Sequence, residues 1–550
     1  MSQTSTGPSF LLVGPYDPHC GEYTFLAPPL GVWRLAGVLE AEGIRVEVFD
    51  PNCCDLSPLE ELEKVLGQQN WDVIGVSTTG MTLRYDLQLA HRSHRLLPNA
   101  LMIAGGMEAT FNPELMFQIG PFDLVVLGEG EKPLLEIAAR LRQESKLDGI
   151  PGTVVHNPLG FINKYPQRAM NHEEHRNAIF KTPYEKMPYR AYWERLEQAY
   201  RVGGLPHKAD REARLAEIRS VRLITLNYCP MGCTFCSSTN FLHEAQGGVA
   251  SIARLEPEDC IAMMKRIVAA QPGVRTIIFQ DDIFVFTQDR RILPLCELII
   301  DAKRRREIPE ELQFISTNRI DAMDRERLSA MRRAGFRVLG FGVESFSPRI
   351  LKEFNKDRIF KHIDPMLQQA LDFGITPFLD IILTSPRCTL QDLAETVRHA
   401  YKWLLAGCEM GMYPYVIPFS GAAMANDPTL KQHTSYVKHR IEGTEIEWQQ
   451  PSKILPIDPL VREAILAIEA EFDLWREYLE SRVAHLPSRL RSLVWVICAA
   501  SVLQDAGEES PERADVLEQL LIRLPDIDDS AREDLQQFDL ATRTMVAVRA

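Results

Sequence analysis

Asn227-Tyr-Cys-Pro-Met-Gly-Cys-Thr-Phe-Cys-Ser-Ser238 is the stretch around which the chain is organised. It follows the apolar run Val221-Arg-Leu-Ile-Thr-Leu226, which reads as a strand. Cys229, Cys233 and Cys236 form C-x3-C-x2-C. Three thiols placed just past a strand are hard to explain by packing, and thiolates are soft ligands suited to iron. Three of them can hold three corners of a [4Fe-4S] cluster and leave the fourth iron open for chemistry. A zinc knuckle would want a fourth Cys or His at suitable spacing. The nearest candidate, His243, lies seven residues past Cys236 with no second ligand pair beside it.

The motif, including Phe235 before the last cysteine, resembles that of the radical S-adenosylmethionine (SAM) enzymes. The resemblance implies that the open iron chelates SAM. An electron from the cluster then cleaves SAM to a 5′-deoxyadenosyl radical. It also implies an external electron donor such as flavodoxin or ferredoxin.

Upstream, residues 1–150 alternate short apolar strands with helical stretches. Phe10–Gly14, Ile44–Phe49, Trp71–Val76, Leu101–Ala104 and Phe122–Leu127 read as five strands. The pattern predicts a doubly wound α/β domain, which binds ligands beyond its strand C-termini. Ser77-Thr78-Thr79-Gly80, Gly105-Gly106-Met107-Glu108 and Gly128-Glu129-Gly130-Glu131 stand at that edge. None matches G-x-G-x-x-G, so a nicotinamide dinucleotide is disfavoured. The glycines let a bulky ligand approach the backbone.

This Rossmann-like domain resembles the cobalamin-binding domain that precedes the radical SAM domain in one subclass. The P-P-L-G entry at Pro28, the Gly105-Gly106 pair and the G-E-G-E turn at Gly128 carry the resemblance. It implies Ser77, Thr78, Gly105, Gly106, Gly128 and Glu129 as cobalamin contacts, with the nucleotide tail entering the sheet–helix region. Asp17-Pro18-His19 offers D-x-H, but the glycine of D-x-H-x-x-G is out of place. Cobalt without a protein ligand is the expectation.

Residues 151–220 are polar and irregular and read as a linker, with short helices at 189–200 and 208–218. Its four histidines, His156, His172, His175 and His207, are expected at the surface. Residues 221–425 contain six β/α units, with later strands at 274–279, 312–317, 338–343, 375–383 and 412–417. They predict an open partial (β/α)6 barrel whose reactive groups gather at the C-terminal strand ends.

Several segments at those ends resemble the family's SAM-binding pattern. Phe279-Gln-Asp-Asp-Ile-Phe284 looks like F-x-D-D-x-F, so Asp281 or Asp282 is expected to accept a bond from the SAM ammonium. Ser316-Thr-Asn-Arg319 offers hydroxyls and an amide to the ribose, Ser316 among them, and Arg319 to the carboxylate. Gly340-Phe-Gly-Val-Glu-Ser345 resembles G-x-E-S and makes Glu344 a SAM contact. Lys352 and Lys356 fit both the family pattern and a solvated surface. Asp380 lies in an apolar strand and needs a partner or an exposed face. Tyr413 and Tyr415 share one strand face.

Residues 426–550 read as a helical module, with helices at 460–479, 488–503, 513–524 and from 530 onward. It is expected to cap the barrel mouth and exclude water. The net charge of −14 argues against a general nucleic-acid binder. Eleven cysteines in 550 residues are not a disulfide scaffold. No leader-like or 18-residue apolar run is present, so a cytoplasmic protein without membrane contact is expected.

The combined resemblance implies a cobalamin-dependent radical SAM methyltransferase. It would move a methyl group from SAM through methylcobalamin to an unactivated carbon of a small molecule or peptide. A cobalamin-dependent radical SAM cyclase, ring-contraction or rearrangement enzyme is the alternative.

Overall fold

The computed structural model describes residues 7–18, 27–55, 57–156, 162–204, 207–287, 289–481, 488–523 and six positions between 534 and 542. His19 and most of the chain beyond 523 lie outside these residues.

The N-terminal sheet contains β1 (Ser9–Val13), β2 (Arg45–Phe49), β3 (Val73–Ser77), β4 (Leu101–Gly105), β5 (Leu124–Val126), β6 (Thr153–His156) and β7 (Ile162–Tyr165). Their order is β2-β1-β3-β4-β5-β6-β7. The pairs among β1 to β5 are parallel, as expected of a doubly wound unit. β1 is buried along its whole length, as its unbroken apolar run requires. Helix Leu30–Ala41 starts directly after Pro28-Pro29 and stops before Gly43, whose φ of +71° ends the turn.

The sheet does not stop near residue 150. β6 and β7 extend it as an antiparallel pair drawn from the expected linker. The chain turns into β6 at Pro151-Gly152, with Gly152 at φ +81°. Each strand has four residues, too few to display a readable alternation. The linker helices Tyr189–Ala199 and Lys208–Ile218 form as expected. A further helix, His172–Phe180, is closed by a capping box of Asn171 and Glu174. It buries His175 completely, against the surface position expected for it.

The second sheet contains β8 (Ser220–Leu223), β9 (Thr276–Phe279), β10 (Gln313–Asn318), β11 (Phe336–Glu344), β12 (Thr376–Ile382) and β13 (Glu409–Tyr413). All neighbours pair in parallel and in chain order. This is the open six-unit barrel expected from the sequence. The last strand sits earlier than 412–417. Helix Leu390–Ala406 ends at Gly407 (φ +118°), so the strand starts at once, and Pro414 cannot donate to extend it.

The tail departs from a purely helical module. β14 (Thr434–Arg440) and β15 (Glu447–Ile454) form an antiparallel hairpin. Its Ile441 turn and Trp448 join the N-terminal domain's apolar core beside Leu83 and Leu87, and Gln450 donates to the Gly80 carbonyl. The helices Pro459–Glu480, Ser488–Asp505 and Arg513–Arg523 follow. Ser488–Asp505 lies along β13, with Ser492 Oγ donating to the Met410 carbonyl at 2.8 Å, and so covers the open sheet edge. No helix among the described residues is long and apolar enough to cross a membrane.

Candidate active site

The cysteine loop leaves the C-terminal end of β8, the end where barrel chemistry collects. Its anchor is Asp281. Asp281 Oδ1 accepts from the Thr225 and Leu226 amides at 2.6 and 2.7 Å, and Oδ2 accepts from the Thr225 hydroxyl at 2.6 Å. The carboxylate is thereby engaged in shaping the loop. Asp282 is the neighbour that faces open space, lining a cavity while still ringed by protein. Burial pushes its pKa up, opposed by a bond from Ser238.

All three loop cysteines are free and partly exposed. Gly232 turns between them at φ +67°. The loop is tied to the segment after β11: Asn355 Nδ2 donates to the Gly232 carbonyl at 3.0 Å, and Thr234 Oγ1 donates to the Glu353 carbonyl at 2.8 Å. Phe235 packs on Phe354 with ring centroids 4.8 Å apart. Burial pushes the Cys229 thiol up to about 12, and the charges of Lys356 and Arg319 oppose the burial shift at Cys233.

Among the described residues no three His, Cys, Asp or Glu side chains converge to hold one metal ion. A mononuclear site needs such convergence, whereas cluster thiolates each bond a different iron. Partly exposed thiols without a disulfide partner, with the charges of Lys356 and Arg319 near Cys233, suit an anionic cluster.

Glu344 ends β11, where the pairing with β12 shifts register. It holds φ +65°, uncommon for a side chain of this kind and typical of positions strained for function. Its Oε1 lies 2.7 Å from Lys356 Nζ, and both residues are buried. Lys356 in turn stands 5.9 Å from the centre of the Phe235 ring. The solvated reading of Lys356 is therefore overturned, whereas Lys352 is exposed. Arg319 is bidentate on Asp321, at 2.6 and 2.7 Å, with its third nitrogen 3.1 Å from Met231 Sδ in the cysteine loop.

Alternation along the strands decides what faces the barrel interior. Thr317, Asp380 and Tyr413 are exposed on that side, while Ser316 is buried and bonded to Asn318. The hydroxyl facing the interior is thus that of Thr317, one residue from the expected Ser316. Asp380 and Tyr413 are hydrogen-bonded. Their polar ends come within 3.1 and 3.2 Å of where a Cβ on Gly411 would stand, so a side chain there would crowd the pair. Asp380 is open to solvent yet crowded by protein. Burial raises its pKa to about 7, with the Glu344 charge adding and Lys356 and Tyr413 opposing. Tyr415, paired with Glu469, is buried instead.

Between the modules lies a cavity of about 330 Å³. Ser77, Gly105, Gly106, Gly128 and Glu129 line it from the N-terminal sheet edge, and Asn227, Tyr228 and Asp282 from the barrel. It runs inward between sheet and helices past Val32, Leu35 and Leu134. A Cβ on Gly105 would meet nothing within 4 Å, which leaves room for a broad ligand. Gly128 serves a second purpose: a Cβ there would stand 2.6 Å from Ala245 Cβ, so it admits the helix Ser238–Gln246 of the barrel module. Thr78 does not line the cavity. Its hydroxyl donates to the Gly105 carbonyl at 3.0 Å and accepts from the Ala109 amide at 3.1 Å. Glu129 lines it while its Oε2 accepts from the Met170 amide at 2.6 Å. An apolar slot behind a glycine-rich strand edge suits the nucleotide tail of cobalamin, with the corrin over the edge.

Comparison with known proteins identifies both domains. Residues 18–138 match the B12 binding domain, and residues 223–400 match the Radical SAM superfamily. The chain is 24% identical to "Uncharacterized methyltransferase PH0819" of Pyrococcus horikoshii over 376 residues, covering 68% of this chain and 73% of that protein. It is 22% identical to the anaerobic magnesium-protoporphyrin IX monomethyl ester cyclase of Cereibacter sphaeroides over 394 residues, covering 68% and 56%. The cobalamin-dependent SAM radical enzyme OxsB, solved with aqua-cobalamin, shares the fold at TM-score 0.64 and 16% identity, over 98% of this chain and 80% of that one. With a B12-binding domain followed by a radical SAM domain, the chain is a cobalamin-binding enzyme of the radical SAM superfamily.

Proposed function

We propose that this enzyme cyclises or otherwise rearranges the skeleton of a small-molecule or peptide substrate. It would use SAM, cobalamin and a [4Fe-4S] cluster held by Cys229, Cys233 and Cys236, with an external one-electron donor. When bound, the cluster supplies the electron that breaks the S–C5′ bond of SAM, and cobalamin supplies a reactive cobalt beside the substrate.

The observation that carries the reading is the Asp380–Tyr413 pair on the open barrel wall. A cyclisation or rearrangement moves protons on the substrate as well as a hydrogen atom. Asp380, with a pKa near 7, is suited to give or take a proton at its carboxylate oxygen. Tyr413 orients that oxygen from the neighbouring strand. Asp282, Thr317, Arg319 and Glu344 surround the place for SAM, and Glu344 with Lys356 holds a fixed charge pattern there. The cyclase relative supports the same reading.

Methyl transfer, with Asp380 and Tyr413 only binding substrate, is the second reading. The methyltransferase named among the relatives favours it. Anaerobic reconstitution with iron, sulfide and cobalamin, followed by SAM, reductant and a panel of substrates, separates the two by mass spectrometry. Product of unchanged carbon count with 5′-deoxyadenosine supports rearrangement. Product heavier by one methylene, with S-adenosylhomocysteine, replaces it with methyl transfer.

A further inference from the structure

Within the cysteine loop, residues 229–236, Gly232 is the most exposed position. Gly232 and Asn355 are both exposed and joined by the 3.0 Å bond from the Asn355 side chain. Gly232 directly precedes Cys233. The segment that carries Asn355, from Pro348 to His362, holds five basic residues against two acidic ones in a chain whose net charge is −14. Of the five, only Lys356 is buried. Lys352, Arg358 and Lys361 are exposed, and none is in an ion pair among the described residues. Phe360 stands among them with 42% of its surface exposed. The two halves of the segment, Pro348–Glu353 and Asp357–His362, pack on each other, and the second packs on the Ile320–Ala322 turn that follows Arg319. The patch is thus the outer wall of the cysteine loop.

We infer that Lys352, Arg358, Phe360 and Lys361 form the docking surface for an acidic one-electron carrier protein of the flavodoxin or ferredoxin class. The inference rests on the cluster reading of the three cysteines. A field of unpaired cations steers an anionic partner and fixes its orientation. An exposed aromatic at the centre supplies the apolar anchor that charge alone lacks. A carrier seated here places its redox group one hydrogen bond, Asn355 to Gly232, from the cysteine loop. One electron then passes inward: the carrier is oxidised as the cluster is reduced, with no bond made or broken.

A second basic area does not meet these conditions. Arg305 and Arg306, with Arg337 at the start of β11, lie at the end of the barrel remote from the cysteine loop. It provides the control.

The test compares the full-length wild type, K352E/R358E/K361E and R305E/R306E. Binding of oxidised flavodoxin and of oxidised ferredoxin is measured by calorimetry at low ionic strength, a readout that needs no cluster. Reconstituted proteins are then reduced either by the reduced carrier or by dithionite, and bleaching of cluster absorbance is followed. The expected result is carrier affinity weaker by about tenfold or more in the triple variant, and unchanged in the double variant. Reduction should slow with the protein donor alone, and added salt should weaken the wild type toward the triple variant. Equal carrier affinity in wild type and triple variant overturns the proposal, as does equal loss in the double variant or no binding of either carrier to wild type. Absence of cluster absorbance in reconstituted wild type would instead sink the cluster reading, and the binding arm would still decide the docking surface.

Discussion

Glu344 and Lys356 meet at 2.7 Å behind the cysteine loop, both buried, with Glu344 held at φ +65°. A buried ion pair adds little net stability, but removing one partner strands the other charge. K356M is therefore expected to destabilise the fold by about 2–4 kcal/mol in denaturant melts, and E344Q/K356M by clearly less. E344Q keeps the backbone and the size of the side chain but not the charge. It should weaken SAM binding by about tenfold in calorimetry, a loss typical of one charge-assisted bond. Unchanged SAM affinity would return Glu344 to a structural role.

Replacing Cys229, Cys233 and Cys236 together by Ala should abolish iron and sulfide incorporation and the cluster absorbance, while thermal stability of the metal-free chain changes little. The thiols make no disulfide and are only partly buried. Retained cluster signal would show that other residues ligate it.

Two cavity glycines are expected to behave differently. At Gly128, φ is +64° and a Cβ would press on Ala245 of the other module, so G128A should lower stability by about 1–3 kcal/mol. At Gly105 a Cβ has open space, so G105L should melt close to wild type yet bind cobalamin more weakly, read by the retained corrin absorbance. Full cobalamin binding in G105L would place the ligand elsewhere.

Burial first, and the Glu131 charge second, raise Glu129 from 4.5 to about 7, against the bond from the Met170 amide. The folded chain then holds this proton more tightly than the unfolded chain. Ionisation costs nothing below about pH 4.5, an increasing amount up to about pH 7, and a constant amount above, at most about 3 kcal/mol. E129Q retains an acceptor for Met170 without the charge. Its stability relative to wild type should rise between pH 5 and pH 8 in the cofactor-free protein. A pH-independent difference would mean that Glu129 does not titrate in this range.

Much of the site was legible because its signals are local. C-x3-C-x2-C, the glycine turns and Glu344 each announce themselves within a few residues. Which of Asp281 and Asp282 is left exposed at the cavity was not legible. Adjacent residues have the same chemistry, and only the loop's orientation commits Asp281 to the Thr225 and Leu226 amides. Ser316 and Thr317 pose the same problem, since the phase of a strand's alternation is set by what packs outside the barrel. Lys356 fits a solvated surface as well as the family pattern until Glu344, twelve residues earlier, is found beside it.

The sequence by itself determined the two α/β modules, their order and the three-cysteine motif, because hydrophobic period and motif spacing are properties of neighbouring residues. Tertiary structure alone decided the rest. It added β6 and β7 to the N-terminal sheet, sent a hairpin from the tail back to that domain, and laid the tail helix along β13. It also brought Asp380 to Tyr413 and Gly128 to Ala245. Each of these depends on which surfaces, far apart in the chain, leave apolar area or backbone hydrogen bonds for another to cover.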